Sequence, residues 1–173
     1  MKTLWRKATS IKKRWLLIGM LLVAGVGGAM LPGRVSVTLS DSVKDRVWWL
    51  DHNLEQIHHG DYVLFAFPIE MYRGGAFPKS VQVGESLRAI KRVGCDEGET
   101  VIRQERDFYC GNEFLGRAKQ KARTGEPLEP TSFAGIVPPG QVFLVGDHPD
   151  SFDSRYFGLI PKNRFLYRAL GLF

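Results

Sequence analysis

The stretch YVLFAF, residues 62–67, follows the turn residues His59, Gly60 and Asp61 and ends at Pro68. A short, mostly apolar run between turn residues is typical of a buried β-strand and is too short for a stable helix. This stretch therefore predicts a strand, and with it a β-rich fold.

Strands also account for most of the chain beyond Pro32-Gly33. Val35, Val37 and Leu39 alternate with polar residues, as expected for a half-buried strand. No long amphipathic helix and no internal repeat follow, so a mostly β domain over residues 35–173 is the simplest architecture. Further strands are predicted at residues 87–93, 100–103, 108–110, 141–145 and 165–172.

Two insertions interrupt this pattern, at residues 68–86 and 116–135. The first is rich in Gly and Pro, and the second carries the basic residues Arg117, Lys119, Lys121 and Arg123. We interpret the basic run as a solvated loop, because neighbouring acidic residues offset its charge. Contact with anionic lipid or with an acidic partner is the alternative.

The net charge of +6 comes from the N-terminus. Residues 1–14 contain six basic and no acidic side chains, and the rest of the chain holds equal numbers of each sign. A basic surface spread over the domain is therefore unsupported, and we expect no nucleic-acid partner.

Residues 15–31, WLLIGMLLVAGVGGAML, contain no charge. As a helix they would span roughly 25 Å, at the lower edge of a membrane span. The preceding basic segment, residues 1–14, predicts a cytoplasmic N-terminus, a single-pass anchor and an exported domain. A cleavable signal peptide is the alternative, although the apolar stretch is longer than the usual signal-peptide core.

Cys95 and Cys110 are the only cysteines and flank a predicted hairpin. Outside the cytoplasm we expect them to form a disulfide, and two unlinked buried residues are the alternative. Neither has a His or Cys partner at metal-ligand spacing. His58 and His59 would point to opposite faces of a strand and could not share an ion. The sequence thus predicts no metal site and no cofactor.

The chain has no Gly-x-Ser-x-Gly motif, and its histidines do not form a recognisable Ser-His-Asp pattern. A Ser-Lys pair is another way to activate a hydroxyl, and it needs a lysine that burial keeps neutral near pH 7. Lys91 fits because AIKRVG, residues 89–94, places it inside a strand, on the face opposite Ile90 and Arg92. Gly94 would leave room for close backbone approach. Taken alone, such a lysine is more often an exposed edge charge.

Four motifs in a fixed order strengthen this interpretation. Together they resemble the type I signal peptidases, membrane-anchored serine endopeptidases with a Ser-Lys dyad on a β-rich catalytic fold. The resemblance covers residues 35–165. The motifs are SDS at 40–42, GDYVLF at 60–65, IKRVG at 90–94 with Gly98-Glu99, and GD at 146–147 followed by SFDSRYFG at 151–158.

The resemblance implies a role for each matching residue. Ser42 would be the nucleophile and Lys91 the general base, with the Ser40 hydroxyl and the Ser42 backbone N–H forming the oxyanion hole. Ser151 would orient the lysine amine. Asp153 and Arg155 would form a supporting ion pair, and Asp147 would support the site beside them.

The chain departs from the housekeeping enzymes at Val43, where they usually carry Met, and in a segment between Asp147 and Ser151 that is one residue shorter. This short form, HPDSFDSRYFG at 148–158, resembles the TraF-type conjugative-transfer branch. Relatives of this type process pilin precursors, and some join the pilin ends into a circle. The implied partners are a pilin or other exported precursor, the lipid bilayer and the conjugative transfer apparatus. The implied location is a bacterial inner membrane, crossed once, with the catalytic domain in the periplasm. A non-catalytic, membrane-tethered scaffold of that apparatus is the alternative function.

Overall fold

The computed structural model describes residues 33–67 and 87–173, in which two β-sheets predominate. Residues Ser36–Phe173 form one compact unit. The strands are β1 (Val35–Val37), β2 (Val47–Asp51), β3 (Tyr62–Ala66), β4 (Arg88–Cys95), β5 (Thr100–Gln104), β6 (Asp107–Cys110), β7 (Glu113–Arg117), β8 (Gly135–Ile136), β9 (Gln141–Val145), β10 (Ile160–Pro161) and β11 (Phe165–Gly171). A helical turn α1 (Ser154–Phe157) and a 3₁₀ turn (Lys162–Arg164) complete the described elements.

The larger sheet has the strand order β1-β2-β11-β3-β4-β9-β10, and the smaller one β7-β6-β5-β8. The pairings that the structure describes among strands β2 to β11 are antiparallel. The prediction of a mostly β fold is therefore confirmed. The predicted anchor, residues 15–31, and the predicted insertion at 68–86 lie outside the described residues. Within the described ranges, no helix has the length and apolar character needed to cross a bilayer.

Alternation along β3 explains how the larger sheet packs on both faces. Val63 and Phe65 contribute to one apolar core, whereas Leu64 packs into another core beside Trp48 and Ile90. Burial of this kind on both faces is why residues 62–67 read as a continuous apolar run rather than as an alternating one. Among residues 33–67 and 87–173, the largest apolar side chain with no exposed surface is Trp48, whose indole N–H donates to the carbonyl of Asp45 at 3.0 Å.

Strands β4 and β9 link the two sheets. Their register shifts between Val93 and Cys95, so that Val93 packs into the core of the larger sheet and Cys95 into that of the smaller one. A Cβ at Gly94 would lie 2.7 Å from a methyl group of Val145. The close approach expected at Gly94 is therefore present, but the approaching group is a side chain and not the backbone.

Several short strands have no clear signal in the sequence. Strand β2 was not predicted, because Val47–Asp51 follow a polar turn and include two adjacent tryptophans whose burial alternates. Strands β8 and β10 have only two residues each, which is too short for a periodic pattern to indicate a strand. Between β7 and β8, within the segment predicted as an insertion, residues Lys121 and Pro127 form an isolated bridge.

Candidate active site

One cleft, of about 380 Å³, brings four of the sequence-predicted residues together. Ser40, Ser42, Lys91 and Ser151 all line it. Apolar side chains make up another part of its wall, namely Phe67, Leu87, Ala89 and Phe152. The cleft therefore combines polar groups suited to proton transfer with an apolar surface suited to small side chains.

Lys91 lies in β4 directly opposite Val63 of β3, on the face of the sheet that packs into a core. Its side chain is only 4% exposed, and its Nζ donates to Ser151 Oγ at 2.6 Å. Burial lowers the pKa of Lys91 to about 8, while Asp153 raises it and Arg155 lowers it by smaller amounts. A substantial fraction of this amine is consequently neutral in mildly alkaline solution.

Ser40 and Ser42 lie between β1 and β2, where the chain turns over residues 41–44. Their hydroxyl oxygens are 3.1 Å apart. The carbonyl oxygen of Ser42 accepts a hydrogen bond from the backbone N–H of Asp147 at 2.8 Å. The turn that carries Ser42 is thereby fixed to the segment that follows β9.

Asp153 and Arg155 form an ion pair that is almost fully buried. The Asp153 carboxylate accepts from the Arg155 guanidinium at 2.8 and 2.6 Å and from the N–H of Gly146 at 2.9 Å. Burial alone would lower the pKa of Arg155, but its paired carboxylate outweighs this effect and raises it. Arg155 also donates to the carbonyls of Ser151 and Arg117, so the pair holds the loop that carries Ser151.

Gly146 separates the two serine segments. A Cβ at this position would collide with the Ser151 side chain and would lie 2.6 Å from the carbonyl oxygen of Ser42. Only glycine leaves enough space there for residues 42 and 151 to approach the same point.

The sequence model of the family described as signal peptidase, peptidase S26, matches residues 12–171. The chain belongs to this signal peptidase family. It is 28% identical over 166 residues to a conjugal transfer protein TraF from Agrobacterium fabrum (strain C58), covering 92% of this chain and 94% of the relative. It is 25% identical over 159 residues to a conjugal transfer protein TraF from Agrobacterium tumefaciens (strain 15955), covering 88% and 90%.

Two further residues contact the site of this signal peptidase family member and were missed from sequence. The Tyr62 hydroxyl donates to Asp147 Oδ2 at 2.9 Å, and Arg92 Nε lies 3.6 Å from Asp147 Oδ1. Both stand inside the motifs, Tyr62 in GDYVLF at 60–65 and Arg92 in IKRVG at 90–94, but the resemblance assigns neither of them a role. Their polar side chains within the motifs were the signal that could have indicated them.

Cys95 and Cys110 are joined by a disulfide, with their Cα atoms 5.5 Å apart. His59, Glu99 and Cys110 cluster nearby, but the Cys110 sulfur is bonded to Cys95 and offers no thiolate to a metal. His59 lies in a turn before β3, as predicted, so the strand geometry invoked for the His58–His59 pair does not apply. His59 instead bridges two carboxylates, with Nδ1 2.9 Å from Glu99 and Nε2 2.9 Å from Glu113.

Proposed function

We propose that the protein is a membrane-anchored serine endopeptidase in which Ser42 is the nucleophile and Lys91 the general base. The observation that carries this proposal is the burial of Lys91, with its amine 2.6 Å from Ser151, in the cleft that Ser42 also lines. Burial of a lysine amine costs free energy because it disfavours the charged form. A requirement for a neutral general base would explain why this lysine is buried in the cleft.

The proposed reaction begins when the neutral Lys91 amine takes the proton of the Ser42 hydroxyl as its oxygen attacks the scissile carbonyl. The developing oxyanion accepts hydrogen bonds from the Ser42 N–H and the Ser40 hydroxyl. The Lys91 ammonium then protonates the leaving amine, and the acyl group remains on Ser42. Water, or an amine held nearby, resolves this ester.

We propose a propilin or a similar exported precursor as the substrate. Two relatives at 25–28% identity are named conjugal transfer proteins, which supports a role in conjugation. The apolar wall of the cleft would take small side chains on the acyl side of the cleaved bond. The domain would act on the periplasmic face of the inner membrane, where an anchored precursor presents its cleavage site.

Mass spectrometry of pilin from cells that express this chain tests the proposal. Wild type should yield a shortened pilin, and Ser42→Ala should leave the precursor intact. A linear product indicates hydrolysis, and a circular product, which is one water lighter, indicates transpeptidation. An unshortened pilin with wild type would refute pilin processing.

A further inference from the structure

The structure points to a positioning residue that the Ser-Lys pair alone does not reveal. We propose that Tyr62 holds the nucleophile-bearing turn in place by acting through the carboxylate of Asp147. This inference rests on the proposed function, because it assigns Tyr62 a part in the reaction of Ser42.

Asp147 contacts the turn on both sides of Val43. Its backbone N–H donates to the Ser42 carbonyl at 2.8 Å, and its Oδ2 accepts from the backbone N–H of Lys44 at 2.9 Å. These two contacts fix the peptide groups that follow Ser42. Any rotation of the Asp147 carboxylate would release the second contact and loosen the turn.

The Tyr62 hydroxyl opposes that rotation. It donates to the same oxygen, Asp147 Oδ2, at 2.9 Å. Arg92 lies beside the other oxygen, with Nε 3.6 Å from Asp147 Oδ1. Both carboxylate oxygens are thus engaged by side chains of the larger sheet.

Tyr62 itself is well anchored. Its ring packs against the fully buried Trp48, with ring centroids 4.9 Å apart, and Lys44 Nζ lies 5.4 Å from its centroid. Burial, together with the hydrogen bond to Asp147, raises the pKa of Tyr62 above its usual range. The hydroxyl therefore remains protonated and able to donate wherever the enzyme is folded and active.

The hydrogen bond from Tyr62 to Asp147 is important because of where Tyr62 lies in the larger sheet. In the antiparallel pair β3–β4, Tyr62 lies opposite Arg92, and Val63 lies opposite Lys91. Tyr62 therefore connects the strands that carry the proposed base to the turn that carries the proposed nucleophile. Loss of its hydroxyl would allow Ser42 to move relative to Lys91, and small displacements of this kind reduce turnover strongly.

Tyr62→Phe removes only the hydroxyl and keeps the ring against Trp48. With full-length protein in detergent and a propilin peptide, we expect kcat to fall about 10-fold or more, with little change in KM or in melting temperature. Tyr167→Phe is the matched control, because the Tyr167 ring packs on His52, 4.6 Å away, and not on Asp147. Unchanged kcat in Tyr62→Phe would overturn the inference.

A double-mutant comparison separates action through Asp147 from an independent effect. If Tyr62 acts through Asp147, adding Tyr62→Phe to Asp147→Ala should cause little further loss of kcat. If the kcat of the double variant falls by the product of the two single-variant losses, Tyr62 does not act through Asp147.

Amide hydrogen exchange distinguishes failure of this inference from failure of the proposed function. The Lys44 amide should exchange faster in Tyr62→Phe than in wild type or Tyr167→Phe, whether or not the peptide is cleaved. Faster exchange in a protein whose wild type cleaves no precursor would refute the peptidase function and support the Tyr62 contact. Unchanged exchange would overturn the contact's positioning role.

Discussion

The amine of Lys91 and the hydroxyl of Ser151 lie 2.6 Å apart in the wall of the cleft, where Lys91 is buried. This contact leaves the lysine with a hydroxyl partner rather than a carboxylate at hydrogen-bonding distance. A carboxylate in that place would stabilise the ammonium and raise the lysine pKa. The Asp153 carboxylate is instead bound to Arg155, which limits its effect on Lys91.

The pH dependence of turnover should follow Lys91. Because burial lowers its pKa to about 8, the neutral amine increases as the pH rises through this value. We expect kcat/KM for a propilin peptide to rise from pH 6 and to level off above about pH 9. Lys91→Arg, whose side chain stays charged, should be inactive at every pH. A profile that is flat between pH 6 and 9 would argue against Lys91 as the base.

The same burial predicts a gain in stability when the amine is removed. The folded-state pKa lies below the ordinary value of 10.5, so the folded state is penalised by protonation of Lys91 below pH 8. Lys91→Met should raise the free energy of unfolding at pH 7 by about 1–3 kcal/mol while abolishing activity. Urea unfolding at several pH values checks this, since the difference should shrink between pH 8 and 10.5. A less stable Lys91→Met protein at pH 7 would contradict it.

Gly146→Ala should impair catalysis more than folding. The new methyl group would collide with Ser151 and would lie 2.6 Å from the Ser42 carbonyl, forcing the two segments apart. We expect kcat/KM to fall about 100-fold or more. Gly140→Ala is the control, because a Cβ there meets nothing within 4 Å although its φ is +73°. That variant should lose about 1 kcal/mol of stability and keep its activity. Equal activities would refute the spacer role of Gly146.

The Asp153–Arg155 pair should be needed for stability. Arg155→Ala would leave a buried carboxylate without its guanidinium, at a cost of about 3–5 kcal/mol in unfolding free energy. The Asp107–Arg117 pair is a suitable contrast, because Arg117 is 57% exposed. Arg117→Ala should cost under about 1 kcal/mol. Chemical denaturation of the two variants tests this, and similar losses would contradict the account.

His59 should make stability depend on pH. Burial acts to lower its pKa, but the carboxylates of Glu99 and Glu113 more than offset this and raise it above 6.5. A raised pKa stabilises the fold below pH 6.5 and loses this effect as the pH rises through the folded-state value. His59→Gln should therefore lower the melting temperature more at pH 5.5 than at pH 9. His58→Gln, at an exposed neighbouring position, is the control. An equal loss of melting temperature at both pH values in His59→Gln would contradict the expectation.

Much of the fold could be predicted from local patterns. The apolar runs at 62–67 and 141–145 form β3 and β9. They could be predicted because the buried residues of each strand are consecutive apolar residues in the sequence. The strand-face argument for His58 and His59 does not hold, since both residues precede β3 and periodicity says little about residues at the edge of a turn. The contact between Tyr62 and Asp147 could not be predicted, because it joins residues 85 positions apart and depends on sheet order.

The proposed site residues came from the order of four motifs rather than from any single pattern. Lys91 alone would be read as an exposed strand residue, yet its side chain is buried. The neighbouring strands and the Ser151 loop produce this burial, and neither is evident from residues 89–94 alone. The role of Ser42 likewise depends on a cleft formed by segments more than 100 residues apart.

Precursor cleavage by Ser42→Ala and Lys91→Ala tests the central claim most directly. Ser36→Ala and Lys121→Ala, at positions that do not line the cleft, serve as matched controls. With purified full-length protein in detergent and a propilin substrate, each site variant should lose at least about 10³-fold in rate, and each control should cleave like wild type. Normal cleavage by either Ser42→Ala or Lys91→Ala would contradict the Ser-Lys account.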